Sequence, residues 1–148
     1  MPSRFGIKVP NVKAFFDHAS NTVSYVVADP FTKKAAVIDT VLDFDYASGT
    51  IGYGHADKII GYFMAQKLEL EWLIETHVHA DHLSAAPYIQ QKLGGKIGIS
   101  HRISEVQEAF GKVFNSGTEF ERDGSQFDKL FVDGDCYKIG ELEAMAIA

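Results

Sequence analysis

The sequence has 148 residues, of which 46% are hydrophobic and 23% charged, and it includes 13 Gly, 4 Pro and 1 Cys. This length and composition are typical of one globular domain and exclude fibrous, collagen-like and disulfide-scaffold proteins. The formal net charge is -6, and the sequence has no cluster of Lys and Arg that would track a phosphate backbone. No apolar run approaches the roughly 18 residues of a membrane span, and the single Cys136 has no intramolecular disulfide partner. We therefore expect a cytoplasmic protein with no nucleic-acid or membrane partner.

Strand and helix patterns alternate along most of the chain. The predicted elements, in order, are strands over 12–19, 22–28 and 34–39, a loop over 40–54, a helix over 56–68, a strand over 70–76, a helix over 84–93, a strand over 96–100, a helix over 103–114, a loop over 115–126, and strands over 128–132 and 142–148. Pro87 in the first turn and Gly94 after the last turn support the second helix. Strands that alternate with helices after an opening hairpin predict an α/β layered domain.

The strongest functional signal lies directly after the strand 70–76. Four ligand-capable side chains stand there within one short stretch: His77, His79, Asp81 and His82. If the strand geometry continues, His77 and His79 project to the same side. Imidazole nitrogens with a carboxylate suit zinc, iron or manganese, and the lack of Cys in this stretch disfavours a closed structural zinc site. The pattern indicates an open, catalytic metal centre, and a solvent-exposed His-rich turn is the alternative.

Four groups on one short loop do not readily surround a single ion. Either two metals share the loop, or further ligands come from elsewhere in the fold. Asp81 stands where it can bind a second metal or orient an attacking water, so it is the candidate catalytic residue.

Other polar residues give weaker signals. Asp39 ends a buried strand beside the expected metal edge, which favours a hydrogen-bonding role toward the metal loop. His101 follows the strand 96–100 at the same edge and is a candidate for bordering the site, although capping a helix or facing water is the commoner role. His55 and His18 are expected to be surface or packing residues.

The run from His77 to His82 matches HxHxDH, the signature of the metallo-β-lactamase-fold superfamily. Residues 36–43 (AVIDTVLD), 71–76 (EWLIET) and 83–87 (LSAAP) resemble the persulfide dioxygenase branch, which includes bacterial β-lactamase-like sulfide-detoxification proteins. The resemblance implies an αββα sandwich with helices on one face of a mixed sheet. It also implies oxidation of a small-molecule thiol derivative, glutathione persulfide, by molecular oxygen at one Fe(II), which yields sulfite and glutathione.

The branches of this superfamily use the motif differently. In the persulfide dioxygenase branch the match to His77 is an iron ligand, while those to His79, Asp81 and His82 line the site. In the hydrolase branches, the matches to His77 and His79 hold one metal, and those to Asp81 and His82 hold another. The alternatives are therefore a glyoxalase-II-like thiolester hydrolase with a dinuclear zinc site and, from another class, a non-catalytic half-domain.

Both branches complete the site with a histidine and an aspartate that come later in the chain than the last residue of this sequence. The resemblance therefore implies that residues 1–148 are the N-terminal part of the sandwich, truncated before its second half. We expect such a chain to be inactive alone. An apolar sheet face left without its second layer is expected to drive self-association.

Overall fold

The structure is a computed structural model that describes residues 9–18, 21–45, 48, 50–76, 85–101 and 128–147. Its elements, in chain order, are β1 (Asn11–Asp17), β2 (Thr22–Ala28), β3 (Lys34–Ile38), β4 (Asp43–Asp45), β5 (Thr50–Gly52), α1 (Gly54–Gln66), β6 (Glu69–Ile74), α2 (Ala86–Leu93), β7 (Lys96–Ser100), β8 (Lys129–Phe131), β9 (Cys136–Ile139) and β10 (Leu142–Met145). No helix within these residues is long and apolar enough to cross a membrane.

Six strands form the main sheet, in the order β1-β2-β3-β6-β7-β8. The first three strands pair antiparallel, whereas β3, β6, β7 and β8 run parallel to one another. This mixed sheet confirms the predicted α/β layered class. Because the four parallel strands point the same way, their carboxyl ends meet at one side of the sheet, which we term the carboxyl edge.

Both helices pack on one face of the sheet and form the main core with it. The three central side chains of β3, from Ala35 to Val37, are fully buried, as expected for a strand covered on both faces. On the helical side, Ile59 and Phe63 of α1 and Ile89 of α2 are fully buried as well. This core fixes the helices on the sheet and thereby sets where each chain segment reaches the carboxyl edge.

The opposite face of the sheet is covered by the β9–β10 hairpin. The hairpin packs Ile139 and Leu142 against Ala36 of β3. The indole N–H of Trp72 donates a hydrogen bond to the Lys138 carbonyl at 2.9 Å. A second, smaller core therefore joins this hairpin to the middle of the main sheet.

The part of this face formed by β1 and β2 carries an exposed apolar strip. Val12 pairs with Val27 and Phe16 pairs with Val23, so these side chains share the face that the hairpin covers elsewhere. Val12 is 58% exposed, Phe16 48% and Tyr25 41%. These exposed side chains form an apolar strip beside the part of the face that the hairpin covers.

Most predicted elements are confirmed with their ends shifted by one or two residues. One prediction is wrong, because residues 40–54 contain the β4–β5 hairpin. No strand was predicted at β9, which pairs with β10 apart from the main sheet. These strands have only three or four residues, too few to show an alternation of apolar and polar side chains. The predicted helix over 103–114 and loop over 115–126 lie outside the described residues.

The buried Asp29 ties the β2–β3 turn to the β9–β10 hairpin. Its Oδ1 accepts the N–H of Phe31 at 2.9 Å, and its Oδ2 accepts the Thr32 hydroxyl at 3.0 Å and the N–H of Glu141 at 2.8 Å. Burial acts to raise the pKa of Asp29, but the hydrogen bonds to its carboxylate outweigh burial and hold the pKa below its usual value.

Replacing Asp29 with Asn is expected to destabilise the fold by about 1–3 kcal/mol at pH 7, because an amide does not satisfy all three donors. The native pKa of Asp29 lies below the unfolded value of about 3.9, so the wild type keeps this stabilisation above pH 4 and loses it as pH falls through the native pKa. Urea unfolding at several pH values measures both effects. Exposed Glu143→Gln is the control, and a variant as stable as the wild type at pH 7 would contradict the role of Asp29.

The exposed strip on β1 and β2 predicts self-association, because apolar patches on neighbouring molecules are removed from water when they meet. Sedimentation velocity is expected to find dimers or larger species that dissociate on dilution. Tyr25→Glu places a charge in the strip and is expected to shift the chain toward monomer, whereas Lys13→Glu, with its side chain on the other face of β1, is not. A strictly monomeric wild type would count against this prediction.

Candidate metal centre

All four predicted metal ligands lie outside the described residues: His77, His79, Asp81 and His82. They belong to residues 77–84, which we term the motif segment. The structure describes the residues on both sides of it, Thr76 after β6 and Ala85 before α2. Among the described residues, no three His, Cys, Asp or Glu side chains are grouped as a metal site.

The side chain of Asp39 holds the residue that precedes the motif segment. Asp39 follows β3, and Thr76 follows the adjacent parallel strand β6. Asp39 Oδ1 accepts the Thr76 N–H at 2.8 Å, and Oδ2 accepts the Thr76 hydroxyl at 2.5 Å. Hydrogen bonds to a carboxylate are shorter and stronger than neutral ones, so this pair is a firm attachment. Asp39 therefore has the hydrogen-bonding role that its place in the sequence suggested.

The backbone of Asp39 is also held in an uncommon conformation. Its φ of 56° is left-handed, which costs about 1–2 kcal/mol for most residues and is tolerated best by Gly, Asn and Asp. The N–H of Asp39 donates to the Ile74 carbonyl at 2.9 Å, and the carbonyl of Asp39 accepts the Ser24 hydroxyl at 2.6 Å. These two contacts offset the cost and fix the direction in which the chain leaves β3.

Thr40 contacts the residue that follows the motif segment. Its carbonyl accepts the N–H of Ala85 at 3.4 Å, so the consecutive residues Asp39 and Thr40 hold the two residues that flank that segment. The side chain of Thr40 is buried, and its Oγ1 is the buried side-chain polar atom that has no hydrogen-bond partner among the residues described. An unsatisfied buried hydroxyl costs about 1–3 kcal/mol.

The residues present fit a metal ion at this place. The motif segment supplies imidazole nitrogens and a carboxylate oxygen, the donor types that zinc, iron and manganese accept. The residues that flank it lie at the carboxyl edge, and the Thr40 hydroxyl, which has no partner among the described residues, marks a buried polar position that a bound group or its water can satisfy.

A cavity of about 490 Å³ lies at the same edge, with Thr76, Ser100 and Ile147 among its lining residues. His101 follows β7 directly and is exposed, and it is not among the residues that line this cavity. The N–H of His101 donates to the Phe131 carbonyl at 2.8 Å, and its Nδ1 lies 3.2 Å from the same oxygen. Because a carbonyl oxygen only accepts hydrogen bonds, Nδ1 is the donor in this contact.

The β4–β5 hairpin supports the start of α1 at the carboxyl edge. No side chain at the helix start itself caps α1. Asp43 of β4 replaces the cap, because its Oδ2 accepts the Gly54 N–H at 3.0 Å and its Oδ1 accepts the His55 N–H at 3.4 Å. A Cβ at position 54 would lie 2.9 Å from Asp43 Oδ2, so a larger residue there would push this carboxylate aside.

The sequence analysis missed a buried polar pair behind Asp39. Ser24 of β2 is 0% exposed, and its Oγ lies 3.2 Å from Nε2 of His55, which is 6% exposed in the first turn of α1. His55 is therefore a packing residue and not a surface residue. Burial lowers its pKa, and the carboxylates of Asp17 and Asp43 act in the opposite direction without reversing the shift. The one available signal was the alternation in β2, which places Ser24 on the buried face.

Asp39→Ala is expected to weaken metal binding by about 10–100-fold, because loss of a hydrogen-bonding group behind the ligands typically costs that much affinity. Titration with Co(II), followed by its visible absorption, measures the affinity. Glu143→Ala removes an exposed carboxylate from β10 and serves as the matched control. Equal Co(II) affinity in Asp39→Ala and the wild type would show that the attachment of Thr76 does not matter for the site.

Known proteins resemble this chain along most of its length. A probable metallo-hydrolase of Burkholderia pseudomallei is 47% identical over 136 residues, which are 92% of this chain and 46% of that protein. Glyoxylase B2 of Dictyostelium discoideum is 38% identical over 138 residues, 93% of this chain and 47% of that protein. The crystal structure of ETHE1 from Myxococcus xanthus superposes with a TM-score of 0.66 at 22% identity, and the match covers 90% of this chain and 45% of that one.

This chain spans about half the length of these three proteins. The similarity to ETHE1 supports the fold inferred from the strands and helices. A profile of the metallo-beta-lactamase superfamily, whose members generally bind metal ions, matches residues 19–140, on both sides of the motif segment. The resemblance drawn from the HxHxDH motif is thereby confirmed, and the chain belongs to the metallo-beta-lactamase superfamily.

Proposed function

We propose that this chain carries the first metal-binding loop of a cytoplasmic glutathione persulfide dioxygenase. In this proposal His77 binds one Fe(II), and His79, Asp81 and His82 line the site. The reaction consumes one oxygen molecule and one water for each persulfide and yields sulfite and glutathione. In this proposal the site is completed by a histidine and an aspartate from the second half of the family's domain, so residues 1–148 tested alone are expected to be inactive.

The double attachment of Thr76 to Asp39 is the observation that carries the proposal. A catalytic metal site needs ligands that are held in place before the ion and the substrate bind. Asp39 holds Thr76, the residue before the motif segment, with both carboxylate oxygens, and Thr40 contacts Ala85, the residue after it. A solvent-exposed His-rich turn would need neither attachment.

The chain's own residues then have three tasks in the reaction. The motif segment presents its imidazoles and Asp81 at the carboxyl edge, where bound iron supplies the redox chemistry between oxygen and the persulfide sulfur. The adjacent cavity of about 490 Å³, with Ile74, Ile99 and Phe131 in its walls, is large enough for part of a small thiol. Asp39 and Thr40 hold Thr76 and Ala85, the residues that flank the motif segment, in one geometry.

A thiolester hydrolase with two zinc ions is the second candidate. The relative named glyoxylase B2, which is 38% identical to this chain, favours it. The same motif would then divide into two pairs of ligands, His77 with His79 for one ion and Asp81 with His82 for the other, and Asp81 would also be placed to orient the attacking water.

Metal stoichiometry separates these functions in the chain as it stands. After anaerobic incubation with Fe(II) or Zn(II) and gel filtration, elemental analysis is expected to find one iron per chain for the dioxygenase, or two zinc ions for the hydrolase. His77→Ala is expected to lose the iron, whereas the matched variant His18→Ala, far from the motif in sequence, keeps it. Equal metal content in His77→Ala and the wild type would overturn a metal site at the motif.

Activity is tested by adding the second half of a relative's domain as a separate chain. We expect iron-loaded chain, mixed with the C-terminal half of the Burkholderia pseudomallei relative, to consume oxygen when glutathione persulfide is added. Neither half alone is expected to do so, and neither is a mixture that contains His77→Ala. Thiolester cleavage by the zinc-loaded mixture without oxygen uptake by the iron-loaded one would replace the first proposal with the second.

A further inference from the structure

A buried hydrogen-bonded pair, Ser24 and His55, lies directly behind Asp39. Ser24 stands opposite Asp39 in the antiparallel pairing of β2 and β3, one position beyond the pair formed by Tyr25 and Ile38. The Ser24 hydroxyl lies 2.6 Å from the Asp39 carbonyl oxygen and 3.2 Å from Nε2 of His55. The pair therefore links α1 to the residue that holds Thr76.

The direction of these hydrogen bonds follows from the number of protons. A serine hydroxyl has one proton, and a carbonyl oxygen only accepts, so Ser24 donates to the Asp39 carbonyl. The Ser24 oxygen is then left to accept, which requires a proton on His55 Nε2. His55 donates to Ser24, Ser24 donates to the Asp39 carbonyl, and the Asp39 carboxylate accepts from Thr76.

Packing alone does not require a polar pair at this position. The next two residues of β2 on the same face, Val26 and Ala28, are apolar and belong to the main core. An apolar pair of similar volume would fill the space of Ser24 and His55 without the cost of burying polar groups. Such an apolar pair would supply no hydrogen-bond donor to the carbonyl of Asp39, the residue that adopts the left-handed conformation.

We propose that Ser24 and His55 are positioning residues that hold Asp39 in the backbone conformation that orders the motif segment for its metal. The inference rests on the proposed function in one respect, namely that the motif segment binds a metal ion. The pair does not touch the ion in this proposal. It acts through the Asp39 backbone. From there the effect reaches Thr76 through the Asp39 carboxylate and Ala85 through the Thr40 carbonyl, and these two residues flank the segment.

Amide hydrogen exchange of the metal-free chain tests this arrangement without depending on metal. His55→Leu removes the donor at similar volume, and Ser24→Ala removes the hydroxyl. Both are expected to speed the exchange of the Thr76 amide by about tenfold or more, because that amide donates to Asp39. The Ile97 amide of β7, which donates to Asp128, is the internal control and is expected to keep its rate. Unchanged Thr76 exchange in both variants would overturn the inference.

Titration with Co(II) then separates the inference from the proposed function. His55→Leu is expected to bind Co(II) about tenfold more weakly than the wild type, and His55→Gln, whose amide restores a donor at nearly the same distance, is expected to recover most of the affinity. Ile139→Ala weakens the core on the other face and is expected to lower thermal stability without changing Co(II) affinity. A wild type that binds no Co(II) would overturn the proposed function. A wild type that binds it as well as His55→Leu does would overturn the positioning role alone.

Discussion

The attachment of Thr76 to the Asp39 carboxylate is the interaction on which the candidate metal centre depends. Thr76 stands immediately before the motif segment, and both its N–H and its hydroxyl donate to this carboxylate. A loop with several metal ligands loses conformational freedom when it binds an ion, at about 1–2 kcal/mol for each backbone residue that becomes ordered. Asp39 holds Thr76 before the segment and Thr40 holds Ala85 after it, which removes part of that cost before any ion binds.

This attachment depends in turn on how β3 and β6 pair. Their parallel register sets Ile38 opposite Ile74, which brings the two following stretches of chain together at the carboxyl edge. A slip of one residue would turn Val37 and Leu73, both buried in the main core, toward the other face of the sheet. The apolar side chains under α1 and α2 therefore determine the geometry at the edge where the motif lies.

The central strands could be predicted from the sequence, because β3, β6 and β7 carry short apolar runs between polar residues. The motif could be recognised because its candidate ligands lie close together in the sequence, and recognising such a pattern needs no knowledge of the fold. The short strands β4 and β9 gave no periodic signal, and their places are set by long-range contacts such as the Asp43 carboxylate at the start of α1. The pair of Ser24 and His55 could not be predicted either, since it joins residues 31 positions apart that are each ordinary in their own element.

The charges near Thr76 favour the binding of a cation, whichever metal it is. Asp39 contributes a negative charge beside Thr76, the residue before the motif segment, and both of its oxygens accept hydrogen bonds from that residue. Burial lowers the pKa of His55, which disfavours a positive charge on that side chain. Because iron and zinc carry the same charge as divalent ions, this field attracts both equally. Selection between them must come from the ligands that complete the site and from the groups that bond to those ligands.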